Sequence, residues 1–254
     1  MKVVFLGTGT SQGVPVVACD CEVCQSSDSN DKRLRTSILV EVGDTRFVID
    51  TGPDFRYQML RENVQHIDAI LYTHEHKDHI AGMDDVRAFN YKMKGAAIDI
   101  YATKNVEKAL RNDFHYVFAD FKYPGIPNIN IIPIGNKPFK IKDIEIIPIE
   151  VMHYKLPVLG FRINDFTYIT DANFISEKEK EKIKGSKVLV LNALRKQEHI
   201  SHFTFDEALA LMSEFNPQKG YLTHISHQLG THEDISKELP DNVELAFDGL
   251  TLEL

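Results

Sequence analysis

The stretch that decides the fold is Leu71-Tyr72-Thr73-His74-Glu75-His76-Lys77-Asp78-His79. Residues 69–72 form an apolar run that reads as a short buried strand. It stops at a cluster of four potential metal ligands in six residues: His74, His76, Asp78 and His79. A lone histidine is usually a satisfied core or surface residue, and a charge run is usually a solvated face. Four ligands at this density ask for a cation. In extended backbone, residues two apart point to the same side, so His74 and His76 reach one ion together. A turn at Lys77 would send Asp78 and His79 to a second ion beside it. Imidazole and carboxylate suit Zn, Mn or Fe.

Two further apolar runs end the same way. Ile169-Thr170 leads into Asp171, and Leu222-Thr223 leads into His224. Loop ligands at strand ends are held by a rigid scaffold and stay open to a substrate. Other short strands are expected at residues 3–6, 98–102, 188–191, 243–246 and 250–252. Hairpins are expected around Gly43-Asp44 and Asn164-Asp165. Helical periodicity covers 55–62, with Pro53 near its start, then 105–111, and 205–215 with Thr204 as N-cap. From 129 to 150 the pattern alternates and is broken by Pro133, Pro138 and Pro148, as in a run of short strands. Strands and helices in two such rounds imply an α/β arrangement of two sheets with helices outside, in one domain over 1–254. Residues 90–95 and 113–130 read either as mobile lids or as ordered surface loops.

The composition narrows the function classes. Among 254 residues, Lys+Arg 29 against Asp+Glu 37 leave a net charge of -8. Such a chain has no long-range attraction for nucleic acid, although bound metal ions can dominate a local field. The basic cluster Lys32-Arg33-Leu34-Arg35 is short and reads as a solvated loop. No apolar run approaches the roughly 20 residues of a membrane span. The run at 3–6, ended by Gly7, is shorter than the roughly 7–15 residues of a secretory segment. A cytoplasmic location without a membrane partner is the expectation. There are 11 His, no Trp and 3 Cys. An odd count argues against a disulfide framework, and all three cysteines fall together at Cys19, Cys21 and Cys24.

His74-x-His76-x-Asp78-His79 resembles the signature of the metallo-β-lactamase superfamily. That resemblance implies an αββα sandwich of two mixed sheets, helices on the outer faces and a dinuclear metal site between the sheets. It implies one ion on His74, His76 and His153, a second on Asp78, His79 and His224, and Asp171 bridging both. Fold alone does not settle function in such a family. Asp78-His79-Ile80-Ala81-Gly82-Met83 departs from the Asp-His-x-Gly-Gly of thioesterase-type members and resembles the phosphodiesterase and tRNA 3′-processing branch. Leu6-Gly7-Thr8-Gly9-Thr10-Ser11-Gln12-Gly13-Val14-Pro15, Cys19-Asp20-Cys21-Glu22-Val23-Cys24, Asp50-Thr51-Gly52-Pro53-Asp54-Phe55-Arg56 and Gly82-Met83-Asp84-Asp85-Val86-Arg87 resemble the PhnP-type cyclic phosphodiesterases. This implies a zinc-binding loop at 19–24, with a structural zinc on Cys19, Cys21, Cys24 and His227. Three thiolates need one more ligand, and Cys₃His is a known closed set; three free thiols or a redox cluster are the alternatives. The glycine-rich loop lacks the Gly-Lys-Ser/Thr of a phosphate cradle and reads as a tight turn.

The expected activity is hydrolysis of small cyclic or nucleotide-like phosphodiesters by a hydroxide bridging two divalent ions, Mn or Zn. His202 is the candidate proton donor, with His199 as runner-up, because a neutral-range imidazole suits a general acid. Asp78 belongs to the same catalytic set. Asp50 either orients a ligand histidine or opens a turn. Arg35 and Arg87 either offset phosphate charge or pair at the surface. His66, His115 and His232 read as surface residues. The rival within the superfamily is a tRNA 3′-end endonuclease, but His199-Ile200-Ser201-His202 departs from its His-Glu-Ala-Thr motif and no basic arm is present. The rival from outside the enzyme class is a non-catalytic metal-bearing binding protein, like superfamily members that have lost hydrolysis; such members usually lose ligands, and all seven are kept here. The resemblance also implies a homodimer.

Overall fold

The computed structural model describes residues 1–121 and 124–254. They form two compact units, one of Met1–Leu6, Ser37–Gly135 and Thr251–Leu254, the other of Gly7–Thr36 and Asn136–Leu250.

The first unit is built on β1 (Lys2–Gly7), β2 (Ser37–Val42), β3 (Thr45–Ile49), β4 (Ala69–Leu71), β5 (Ile98–Ala102), β6 (Ile129–Pro133) and a C-terminal strand, Thr251–Glu253. The sheet order is C-terminal strand, then β1 through β6. β2 and β3 pair antiparallel around Gly43-Asp44, the expected hairpin, with Gly43 left-handed as such a turn needs. β3 to β6 run parallel. Ile70 and Leu71 are wholly buried on successive faces of β4, as parallel strands covered on both sides require. Helices Phe55–Arg61, Arg87–Lys92 and Lys104–Asp113 supply Phe55, Met59, Phe89, Val106 and Leu110 to a core with Val4, Leu39, Val48 and Ile100. Thr103 caps the last of these helices by accepting from the Val106 N–H.

The second unit holds β7 (Phe139–Ile141), β8 (Ile144–His153), β9 (Leu156–Ile163), β10 (Phe166–Tyr168), β11 (Phe174–Ile175), β12 (Val188–Asn192), β13 (Lys219–Thr223) and β14 (Val243–Leu245). Its order is β11-β8-β9-β10-β12-β13-β14, with β7 paired to β8. β10, β12, β13 and β14 are parallel neighbours, and the rest are antiparallel. Helix Phe205–Phe215 starts at the expected Thr204, which forms a reciprocal capping box with Glu207. Its Phe205, Ala208 and Met212 join Ile149, Leu189, Leu191 and Leu222 in the core.

Two readings of the sequence are corrected, and the open reading of residues 90–95 is narrowed to one of its two alternatives. Pro148 does not break a strand: β8 runs ten residues through it. Its partner there is Phe161 of β9, while the β7 and β11 pairings lie at 144–146 and 151–152. The missing N–H thus faces a gap between the two flanking strands, and a proline fits there. Helix Glu177–Ile183 was not expected, because Glu-Lys-Glu-Lys-Glu-Lys has no apolar period; Ser176 caps it through the Glu179 N–H. Residues 90–95 are the end of helix Arg87–Lys92 and its turn. The buried Asn90 amide bonds Ala96 O and Asn128 O, at 2.8 and 2.9 Å, and its own oxygen accepts from Asn128 N at 3.0 Å. This is an ordered surface loop. Of the 113–130 stretch, residues 122 and 123 lie outside the described residues; before them, His115–Val117 forms a 3-10 turn. Among the described residues, no helix is long and apolar enough to cross a membrane.

Candidate metal centres

In the first unit the ligand cluster follows β4. The strand stops at Leu71, three residues before His74. The expected turn at Lys77 is a short helix, Lys77–Ile80, that begins after His76 and carries Asp78 and His79. His74 Nε2 lies 3.0 Å from His76 Nδ1, and His79 Nε2 lies 3.2 Å from Asp78 Oδ2. The imidazoles of His74 and His79 lie 4.2 Å apart between centroids, tilted by 48°. Their opposite nitrogens are committed to the protein. His74 Nδ1 meets Thr73 Oγ1 at 2.9 Å, and His79 Nδ1 meets Asp50 Oδ2 at 2.7 Å.

Asp50 is fully buried. Its carboxylate also accepts from Thr73 N at 2.9 Å and Thr73 Oγ1 at 2.8 Å. Burial pushes its pKa up, while the His79 and Thr73 contacts pull it down. Asp50 therefore fixes both the ring of His79 and the strand-end turn before His74. The two readings of Asp50, turn residue and orienting carboxylate, are both geometrically true.

The second unit presents His153, Asp171, His202 and His224. His153 ends β8, and its Nδ1 donates to Ser201 O at 2.7 Å. Asp171 lies three residues past the end of β10, further than the sequence implied, and His224 directly follows β13. Asp171 Oδ1 is 3.0 Å from His224 Nδ1, and Thr10 Oγ1 is 3.3 Å from His224 Nε2. His202 stacks on His224 at 4.8 Å and leans on His153 at 4.5 Å. His153, Asp171 and His202 place one ligand atom each within 4.8 Å of one another. Asp50, Asp171 and His224 all have left-handed backbones, with φ of 66°, 54° and 56°. Such a conformation costs a non-glycine residue about 1–3 kcal/mol and concentrates at functional sites.

His202 differs from expectation in one respect. Burial drives its pKa down to about 3; Asp171 opposes the shift, and His224, His153 and His199 add to it. In the metal-free chain this ring is neutral at pH 7. His199, 5.1 Å from His202, is also lowered, first by burial and then by Arg195.

The cysteine cluster lies wholly in the second unit. His227 Nδ1 is 3.3 Å from Cys19 Sγ, 3.3 Å from Cys21 Sγ and 3.5 Å from Cys24 Sγ. A tetrahedral zinc with ordinary Zn–S and Zn–N bonds spaces its sulfur and nitrogen ligands by about 3.6 Å. The set therefore fits one zinc ion. The Cys24 amide holds the Cys21 thiol well below its usual range, while burial lifts Cys24.

The remaining sequence candidates are distributed as follows. Arg87 pairs with Asp84 at 3.1 Å, and Arg35 Nε donates to Ser11 O at 3.2 Å. His66 and His115 are exposed. His232 is half-buried instead: its Nδ1 lies 3.1 Å from Arg33 Nη2, and its backbone N–H donates to Asp31 Oδ1 at 2.7 Å. Arg33 is itself buried, so the basic cluster at 32–35 is not simply a solvated loop. Charge count alone gave no sign of this, because its partners Thr8, Ala246 and His232 are remote in sequence.

A family model described as a β-lactamase superfamily domain matches residues 45–225. The crystal structure of a new diphosphatase from the PhnP family aligns with 100% of this chain and 97% of its own, at 38% identity and a TM-score of 0.93. The crystal structure of Zn(2+)-bound PqqB from Methylobacterium extorquens shares the fold, with a TM-score of 0.81, 20% identity and 100% coverage of both chains. An octanoyltransferase of Porphyromonas gingivalis is 38% identical over 253 residues, 98% of this chain and 51% of that protein. The chain thus spans about half the length of that relative, and the octanoyltransferase activity is that of the longer protein. Two mixed sheets with helices, His/Asp and Cys₃His clusters suited to metals, and a family match over most of the chain lead to one conclusion: the protein belongs to the metallo-β-lactamase superfamily and is similar over its whole length to the PhnP-family diphosphatase.

Proposed function

We propose that this chain hydrolyses small phosphodiesters, cyclic or nucleotide-like, with two divalent ions, Mn or Zn. His74, His76 and His153 would hold one ion, Asp78, His79 and His224 the other, and Asp171 both. Cys19, Cys21, Cys24 and His227 would hold a structural zinc. The observation that carries this reading is the use of Nδ1 by His74, His79 and His153 for protein partners. That leaves their Nε2 atoms as the ligand face, the arrangement seen when a second partner orients a metal-binding imidazole.

When bound, such a pair lowers the pKa of water toward neutrality and offsets charge on a phosphoryl oxygen. The chain's own groups do the rest. Asp50 aims His79, Ser201 O aims His153, and Asp171 supplies negative charge beside His202. His202 is the proposed proton donor to the leaving alkoxide. Its ring is neutral in the empty pocket, and an incoming phosphodiester anion favours the imidazolium that the donor role needs. A reducing compartment suits the three thiolates, and we place the protein in the cytoplasm with a small-molecule substrate.

The test is a panel of substrates for the metal-loaded protein: a ribose cyclic phosphate, bis-(p-nitrophenyl) phosphate, a dinucleotide joined through diphosphate, and a pre-tRNA. Turnover of the small esters is expected. Robust pre-tRNA cleavage with inert small esters would transfer the reading to the tRNA 3′-end endonuclease.

A further inference from the structure

Asn192 ends β12, and its side chain is wholly buried. A carboxamide sealed from water is costly unless its oxygen and amino group are bonded. Both ends of Asn192 reach one residue. Its Oδ1 accepts from Ala172 N at 2.8 Å, and its Nδ2 donates to Ala172 O at 3.0 Å. Ala172 directly follows Asp171, whose backbone is left-handed.

The reason lies in the sheet. The pairing of β10 with β12 ends at Tyr168 and Val190, with one further bond from Ile169 N to Val190 O. Beyond that the chain turns out of the ladder toward Asp171, and among the described residues no backbone group of β12 bonds Ala172. The Asn192 amide takes the place of a strand neighbour by serving both the N–H and the C=O of Ala172. The same Ala172 carbonyl accepts from Phe203 N at 2.7 Å, and Phe203 is the residue after His202.

We infer that Asn192 is a positioning residue that holds Asp171 and His202 in their working places through the Ala172 peptide. This rests on the functional reading above for the roles of Asp171 and His202. The chemistry that Asn192 supplies is geometric: a donor and an acceptor on one planar group, which leucine, branched alike but larger and apolar, cannot provide.

The experiment compares wild type with Asn192→Leu and the milder Asn192→Ser. Three readouts are taken: kcat and KM on a ribose cyclic phosphate, the affinity for added Mn(II) with the zinc content counted separately, and crystal structures of the metal-free proteins. We expect kcat or Mn(II) affinity to fall about 10- to 100-fold, KM to change little, zinc to stay at one equivalent, and the Asp171 carboxylate to move. Asn192→Ser should fall between the two and covers the case in which Asn192→Leu does not fold. Variants matching wild type in kcat and Mn(II) affinity within twofold, with Asp171 unmoved, would overturn the inference. Should wild type neither turn over the ester nor bind Mn(II), the functional reading fails. The positions of Asp171 and His202 in the metal-free crystals then decide the role of Asn192 alone.

Discussion

At the scale of single residues, the chemistry turns on how buried imidazoles are held. His202 is expected to matter according to the leaving group. His202→Ala should lower kcat on an alkyl phosphodiester by about 10²–10⁴-fold, the usual worth of a general acid. On bis-(p-nitrophenyl) phosphate, whose leaving group needs no proton, the loss should be below about tenfold. Equal losses on both would remove His202 from the donor role. The same residue sets a pH dependence in the metal-stripped protein. Its folded pKa of about 3 lies under an unfolded value near 6.5, so the unfolded chain binds more protons between the two. Its contribution to stability is complete above about pH 6.5 and is lost as pH falls toward 3. Urea unfolding across that window should show a slope that His202→Gln flattens. Asp50 gives a third case. Asp50→Ala strips His79 Nδ1 of its acceptor and should weaken one exchangeable ion about 10- to 100-fold, measured by chelator competition.

Residues of this kind differ in how legible they were. His74, His76, Asp78 and His79 announce themselves by density. Asp50 was legible only as one of two readings, orienting carboxylate or turn opener, because an aspartate before a glycine-containing turn is ordinary and only the fold brings it against His79, 29 positions away. Asn192 is a single polar residue ending an apolar strand, and nothing around it in sequence names Ala172 as its partner.

At the scale of elements, strand existence followed from alternation and apolar runs, and the helix at 205–215 followed from its cap. Boundaries were less legible where ligands sit. β4 and β10 end three residues before His74 and Asp171; one more backbone bond follows each strand, from Tyr72 N to Tyr101 O and from Ile169 N to Val190 O, and the left-handed turn at Asp171 itself is not encoded in the apolar pattern. The zinc loop is the element with the clearest consequence. His227 lies three residues past His224, Ile225 N donates to Thr8 O at 2.9 Å, and Thr10 N donates to Ile225 O at 3.0 Å. A zinc at Cys19, Cys21, Cys24 and His227 would thus brace the stretch that carries His224. Cys24→Ser should lose about one equivalent of zinc, lower the melting midpoint and reduce activity even at saturating Mn(II). Elemental analysis and thermal unfolding check this, and retention of zinc by the variant would contradict it.

At the scale of the whole molecule, the family match spans residues 45–225 and the structural likeness to the PhnP-family diphosphatase spans the chain. The ligand residues fall into two sets, His74, His76, Asp78 and His79 in one compact unit, and His153, Asp171 and His224 in the other. A sequence shows both sets but not the substrate, because the recognition of an ester group is spread over side chains that carry no spacing of their own. The central claim is that phosphodiester hydrolysis needs a pair of exchangeable divalent ions in addition to the structural zinc. The most direct measurement is to strip the exchangeable metal by mild chelation, leaving one zinc, and to titrate Mn(II) back while following hydrolysis of a ribose cyclic phosphate. Activity absent at the start and rising to a plateau at about two equivalents of Mn(II) is the expected result; full activity in the stripped protein, or no activity at any Mn(II) concentration, would contradict it.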